Sequence, residues 1–416
     1  MRVMPRSAHE VDELRSLTRL AFEELRDATG GVHGFHQTIA CRAFGASGPG
    51  AVPARTLHDA IAAGVYGGIG GVTRLLGLAA ETGVASRPER DARSLSTSPR
   101  GALVLGVLNG LIGDRLEEED SDLQEPMSVR VNGRPIEPDA AAVAASFPDA
   151  TPRLVVFLHG LMESEFAWRI GAGPAGATYG SRLRDELGYT PIELRYNTGR
   201  HISENGRSLA DLLGELIAAW PVEVEEVTLV GHSMGGLVAR SGCHQGAERG
   251  DAWTSRVRHV VSLGTPHMGA PLAQGVHLAA GLLHAVPETR TLARLLRRRS
   301  AGIRDLRHGS LVDEDWRDRD PDALAAVACR EVPLLDGATH CFVAATVTQS
   351  PRHPVARLIG DWLVLESSAS GRSRARRIPF EAERGMHLGG TNHIALLNHP
   401  AVYEQLRHWL SEAEPA

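Results

Sequence analysis

A serine hydroxyl becomes a nucleophile only when the fold holds it clear of its surroundings, beside a base and beside N–H donors aimed at the developing oxyanion. Ser233 stands in a stretch suited to that task. Gly231-His232-Ser233-Met234-Gly235-Gly236 directly follows the apolar run Val227-Thr228-Leu229-Val230 and precedes Leu237-Val238-Ala239-Arg240, which favours helix. The order predicts strand, tight turn, helix. Gly231 and Gly235 leave room for a strained turn, and the amide of Met234 at the helix start points where a tetrahedral intermediate carries its charge. Ser233 is therefore the candidate nucleophile, with His232 read as a packed residue of the turn.

Composition removes several rivals. The net charge of -6 gives no basic face to neutralise phosphates, so no nucleic-acid partner is expected. All 44 basic residues are arginines, which excludes a P-loop lysine, a Schiff-base lysine and an S-x-x-K acyl enzyme. Cys41, Cys243, Cys329 and Cys341 are scattered, without the spacing of a zinc site or a disulfide framework, and read as buried thiols. No metal and no organic cofactor is expected. The N-terminus has no signal-peptide core and no uncharged apolar run reaches the ~18 residues of a membrane span, so the expected address is cytoplasmic.

The elements that must position Ser233 begin well into the chain. Residues 1–115 read as a helical extension: Val11, Leu14, Leu17, Leu20, Ala21 and Leu25 recur at helical spacing, residues 55–82 are glycine-rich and apolar, and a short apolar segment (101–113) runs into the solvated charge run Glu117-Glu118-Glu119-Asp120. A structural appendage, a peripheral membrane contact and a dimerisation face all remain open for it. From Met127 strands alternate with helices: Val129-Arg130-Val131 with the turn Asn132-Gly133, then LVVFL (154–158), PIELRYN (191–197), VTLV (227–230), HVVSL (259–263), CFVAATV (341–347) and RRIPF (376–380). A mostly parallel sheet with helices on both faces follows, within a domain spanning 116–416. Residues 268–338 interrupt it as a helical cap insertion, in which Leu272, Val276, Leu278, Leu282, Leu283 and Val286 cover much of a helix circumference.

LVVFLHGLM (154–162), GHSMGG (231–236), LGTPHMGAP (263–271), GDWLV (360–364) and GGTNH (389–393) together make the chain from about 127 to 412 resemble the α/β-hydrolase lipases and esterases, including the branch similar to GPI-inositol deacylases. The resemblance implies an α/β-hydrolase fold and a serine, acid, histidine order along the chain. On that order His393 in Gly389-Gly390-Thr391-Asn392-His393 is the candidate base, ahead of His399, which precedes the helix-starting Pro400, and of His387. Asp361 is the candidate acid, with Asp336 as the alternative; the family more often has a small residue where Trp362 stands. Gly160 after the strand 154–158 lets the backbone turn so that the amide of Leu161 joins that of Met234 as an oxyanion donor, and His159 is structural. The expected activity is hydrolysis of lipid-like carboxylic esters through an acyl-enzyme on Ser233. Acyl transfer to an alcohol and a hydrolase fold kept as a non-catalytic binding protein are the alternatives, and the oligomeric state stays open.

Overall fold

Asn132-Gly133 closes a hairpin between β1 (Ser128–Val131) and β2 (Arg134–Ile136), with both residues at positive φ, as a two-residue turn between twisted strands requires. β1 also pairs antiparallel with β4 (Thr190–Arg195). All further pairings are parallel, through β3 (Arg153–Leu158), β5 (Glu226–His232), β6 (Val257–Leu263), β7 (Thr339–Thr346) and β8 (Gly385–Gly389), in the order β2-β1-β4-β3-β5-β6-β7-β8. These come from a computed structural model, which describes residues 96–411 apart from 122, 174–175, 271–298, 321–328 and 374–375. The expected helices of residues 11–82 and the apolar helix 272–286 of the cap lie outside the described residues.

Parallel strands are buried on both faces, and β3 shows why a continuous apolar run suits them. Leu154, Val156 and Leu158 point into one core with Leu209, Leu213 and Leu216 of α3 (Ile202–Ala218) and with Leu237 and Val238 of α4 (Met234–Arg249). Val155 and Phe157 point the other way, into a core with Leu183 of α2 (Tyr179–Leu187) and with Val402, Leu406 and Trp409 of α5 (Pro400–Ser411). Period-two alternation along one strand thus glues helices to both faces of the sheet. Each fully buried leucine contributes roughly 1.5–3 kcal/mol.

Ahead of the sheet, α1 (Pro99–Glu118) starts on Ser98, whose hydroxyl accepts from the Gly101 amide, with proline in the first turn. It absorbs both the apolar segment 101–113 and the first half of the charge run, and it crosses residue 115, where the sequence suggests a boundary. It lies in the same compact unit as the sheet. Asn197 Nδ2 donates to Gly113 O at 2.8 Å and Ser300 Oγ donates to Gly110 O at 2.6 Å, so the helix is bonded to the connections leaving β4 and preceding the segment Ala301–Leu306.

One expected strand is absent. RRIPF (376–380) makes only an isolated bridge, Arg372 to Arg377, and the eighth strand is Gly385–Gly389 instead. Pro379 lacks the N–H a ladder position needs, and Phe380 is used in a ring cluster with Phe342 and His267. Cys243 and Cys341 are buried and Cys329 is half-buried; all three are free thiols, while Cys41 lies outside the described residues. Among the described residues no helix is long and apolar enough to cross a membrane.

Candidate active site

Because β3, β5, β6, β7 and β8 run parallel, their carboxyl ends lie along one edge of the sheet, and the loops leaving them converge there. Ser233 follows β5, the central strand, with φ 53° and ψ -120°, a conformation that costs a non-glycine residue roughly 1–3 kcal/mol. The surroundings enforce it. A Cβ on Gly235 would lie 2.2 Å from Leu158 O, so α4 starts pressed against the end of β3, and the Ser233 amide donates to Leu263 O at 2.8 Å. The Met234 N–H, the first of α4, has no acceptor within the helix, while that of Gly236 donates to Ser233 O at 3.2 Å.

Asp361 and His393 are brought together. Asp361 is 1% exposed and its Oδ2 lies 2.7 Å from His393 Nδ1, while its Oδ1 accepts from the amides of Leu363 and Val364. The amide of His393 donates to Asp361 O at 3.0 Å, a second tie between the two loops. Both carboxylate oxygens are thereby oriented and the imidazole is held by one nitrogen. His393 Nε2 is buried without a hydrogen-bond partner. Gly264 has φ +59°, and a Cβ there would lie 3.0 Å from His393 Cε1; the residue after Leu263, whose carbonyl holds Ser233, thus adjoins the base. The loop is strained at Trp362, with φ 89° in the region that favours glycine, which is the physical reason a small residue suits that place.

The rival residues are engaged elsewhere. Asp336 is exposed in the turn before β7, at the opposite edge of the sheet from Ser233. His399 Nδ1 accepts from the Ala401 amide at the start of α5, and His387 Nε2 bonds Thr346 Oγ1 between β8 and β7. His159 is fully buried and stacked on Tyr196 at 4.3 Å, with Nδ1 on Gly160 O; burial pushes its pKa down to about 4, so it stays neutral.

Gly160 brings the turn after β3 against the nucleophile, since a Cβ there would lie 3.1 Å from Ser233 Cβ. The Gly160 amide donates to Glu163 Oε2 at 2.7 Å. In the same turn the Met162 amide donates to Thr198 Oγ1 at 3.2 Å and the Glu163 amide to Gly160 O at 3.2 Å. The same Glu163 oxygen lies 3.1 Å from His232 Nδ1, and His232 Nε2 lies 3.3 Å from His393 O. Glu163 has no motif or periodicity to mark it in the sequence. Among the described residues no group of three or more His, Cys, Asp or Glu is arranged to hold a metal ion.

A mostly parallel eight-stranded sheet with an elbow serine after its central strand, and an aspartate and a histidine on the loops beyond, defines an α/β-hydrolase fold. Residues 149–318 match the family model of the PGAP1-like alpha/beta domain. No curated protein matches the chain. Among solved structures, Bacillus licheniformis lipase BlEst2 in mature form is similar at 20% identity over 62% of this chain and 92% of its own, with a TM-score of 0.39. An esterase of Pyrobaculum calidifontis is similar at 13% identity over 78% and 92%, TM-score 0.35. Alpha/beta hydrolase domain-containing protein 10 from mouse is similar at 14% identity over 63% and 89%, TM-score 0.33.

Proposed function

We propose that the protein is a serine esterase that hydrolyses carboxylic esters of lipid-like substrates through an acyl-enzyme. The observation that carries this reading is the Asp361–His393 pair, whose second ring nitrogen is free, beside a serine held at positive φ between a strand and a helix start. Ser233 Oγ attacks the ester carbonyl as His393 Nε2 takes its proton. Asp361 fixes the imidazole tautomer with Nδ1–H towards the carboxylate and supports the imidazolium that forms. The amides of Leu161 and Met234 hold the oxyanion, at positions already paid for by the fold and needing no rearrangement during reaction. His393 then protonates the leaving alcohol and activates the water that releases the acid.

Leu358, Leu363 and Ile394 support a greasy substrate: they are 63%, 38% and 40% exposed, and the last two are within two residues of Asp361 and His393. Apolar side chains left in water around acid and base loops suit an acyl chain or a lipid surface. The test is fluorophosphonate labelling of the wild type and of Ser233→Ala. Labelling is expected in the first and absent in the second, with the same circular dichroism spectrum; undiminished labelling of the variant would overturn the assignment.

A further inference from the structure

His232 has an acceptor at each end. Its ring is fully buried, with the Glu163 carboxylate 3.1 Å from Nδ1 and the His393 carbonyl 3.3 Å from Nε2. A neutral imidazole carries one N–H and would turn a lone pair towards one of those oxygens; only the imidazolium donates to both. Glu163 in turn accepts from the Gly160 amide at 2.7 Å and is 15% exposed. One carboxylate therefore touches the turn that presents Leu161 and, through one ring, the backbone of His393.

We propose that Glu163 and His232 form a positioning pair, in which Glu163 holds His232 as a two-donor imidazolium that fixes the His393 loop and the oxyanion turn against Ser233. Neither residue touches the reacting atoms in this role; both act through groups that do. The groups around the ring are Glu163 on the turn after β3, Asp361 on the loop after β7, His393 on the loop after β8, and neutral His159, which faces Glu163. Burial disfavours charge on His232, but Glu163, the His393 carbonyl and Asp361 together raise its pKa above the ordinary value. Burial likewise works against the Glu163 carboxylate, and His232 and the Gly160 amide overcome it, holding Glu163 at about 2. Both shifts favour the ionised form of the pair.

The His232 ring lies 4.8 Å from that of His393, with Glu163 at one ring nitrogen and the His393 carbonyl at the other. In Glu163→Gln the buried His232 loses its counterion and is expected to become neutral, so that it can no longer donate from both nitrogens.

The proposal rests on the esterase reading, and the experiment separates the two. Histidine 15N spectra of the wild type, with the His232 signals assigned by His232→Gln, are expected to show both ring nitrogens protonated at pH 7, and Glu163→Gln is expected to abolish that signature. Glu163→Gln and His232→Gln are each expected to lower kcat by about 10- to 100-fold with little change in KM, since a misplaced base impairs the chemical step more than binding. His232→Gln keeps a side-chain donor without the charge, so it carries the kinetic test if Glu163→Gln does not fold. A neutral His232 in the wild type overturns the pair while leaving fluorophosphonate labelling of Ser233 intact. Wild-type kcat in both variants overturns the positioning role, and labelling that survives Ser233→Ala removes the esterase reading itself.

Discussion

Asp361 and Asp336 are both aspartates beside β7, yet only one can reach a base at the carboxyl edge of the sheet. Asp361 is buried and bonded to His393, whereas Asp336 is exposed at the opposite end of the strand. Asp361→Asn and His393→Ala are therefore expected to lower kcat by about 10³ or more, and Asp336→Asn and His399→Ala to leave it within a few-fold of the wild type. Steady-state kinetics on an aryl ester checks this, and comparable losses from Asp336→Asn would reassign the acid. Ser233, Asp361 and His393 can be picked out in the sequence as candidates because loops after successive parallel strands converge at one edge, and the order that the resemblance implies narrows the choice. Glu163 cannot. It acts on His232, 69 residues away in the chain, and no local pattern encodes that contact.

Strands with a continuous apolar run, such as Arg153–Leu158 and Glu226–His232, could be read directly, because burial on both faces leaves no polar position to obscure them. Gly385–Gly389 could not: it has glycine at both ends and no β-branched residue. Its first glycine is required by packing, since a Cβ there would lie 2.4 Å from Phe342 Cζ on the neighbouring strand. The seating of α1 was equally hidden, because it depends on close backbone approach. A Cβ on Gly199 would lie 2.1 Å from Asn109 O and 2.7 Å from Gly113 N, both backbone atoms of α1. Gly199→Ala is expected to push this helix away and destabilise by roughly 1–3 kcal/mol, as overpacking does. Gly214 in α3 is the control: its Cβ would meet only Trp253 Cδ1, at 3.9 Å, so Gly214→Ala is expected to gain about 0.5–1 kcal/mol from helix propensity. Thermal unfolding distinguishes them by the sign of the change in Tm, and a raised Tm for Gly199→Ala would show that α1 is not seated as described.

At the scale of the whole molecule, substrate size is the question the parallel sheet does not answer, because the sheet positions the chemistry and the connections around it shape the pocket. Two features bear on it. In the sequence of residues 272–286, Leu272, Val276, Leu278, Leu282, Leu283 and Val286 cover much of a helix circumference and leave Gln274, His277 and His284 together on one narrow side. The rim formed by Leu358, Leu363 and Ile394 exposes apolar side chains next to Asp361 and His393. An apolar acyl pocket gains up to ~0.8 kcal/mol for each methylene it buries, close to a fourfold step in kcat/KM, until the pocket is full. A pocket closed off near Ser233 gains nothing beyond the first carbons. We therefore expect kcat/KM on a series of aryl esters from acetyl to palmitoyl to rise through the medium chain lengths before levelling, with the steps appearing mainly in KM, because the added methylenes bind alike in ground and transition states. A maximum at acetyl would show that the apolar rim of Leu358, Leu363 and Ile394 serves contacts other than the acyl chain.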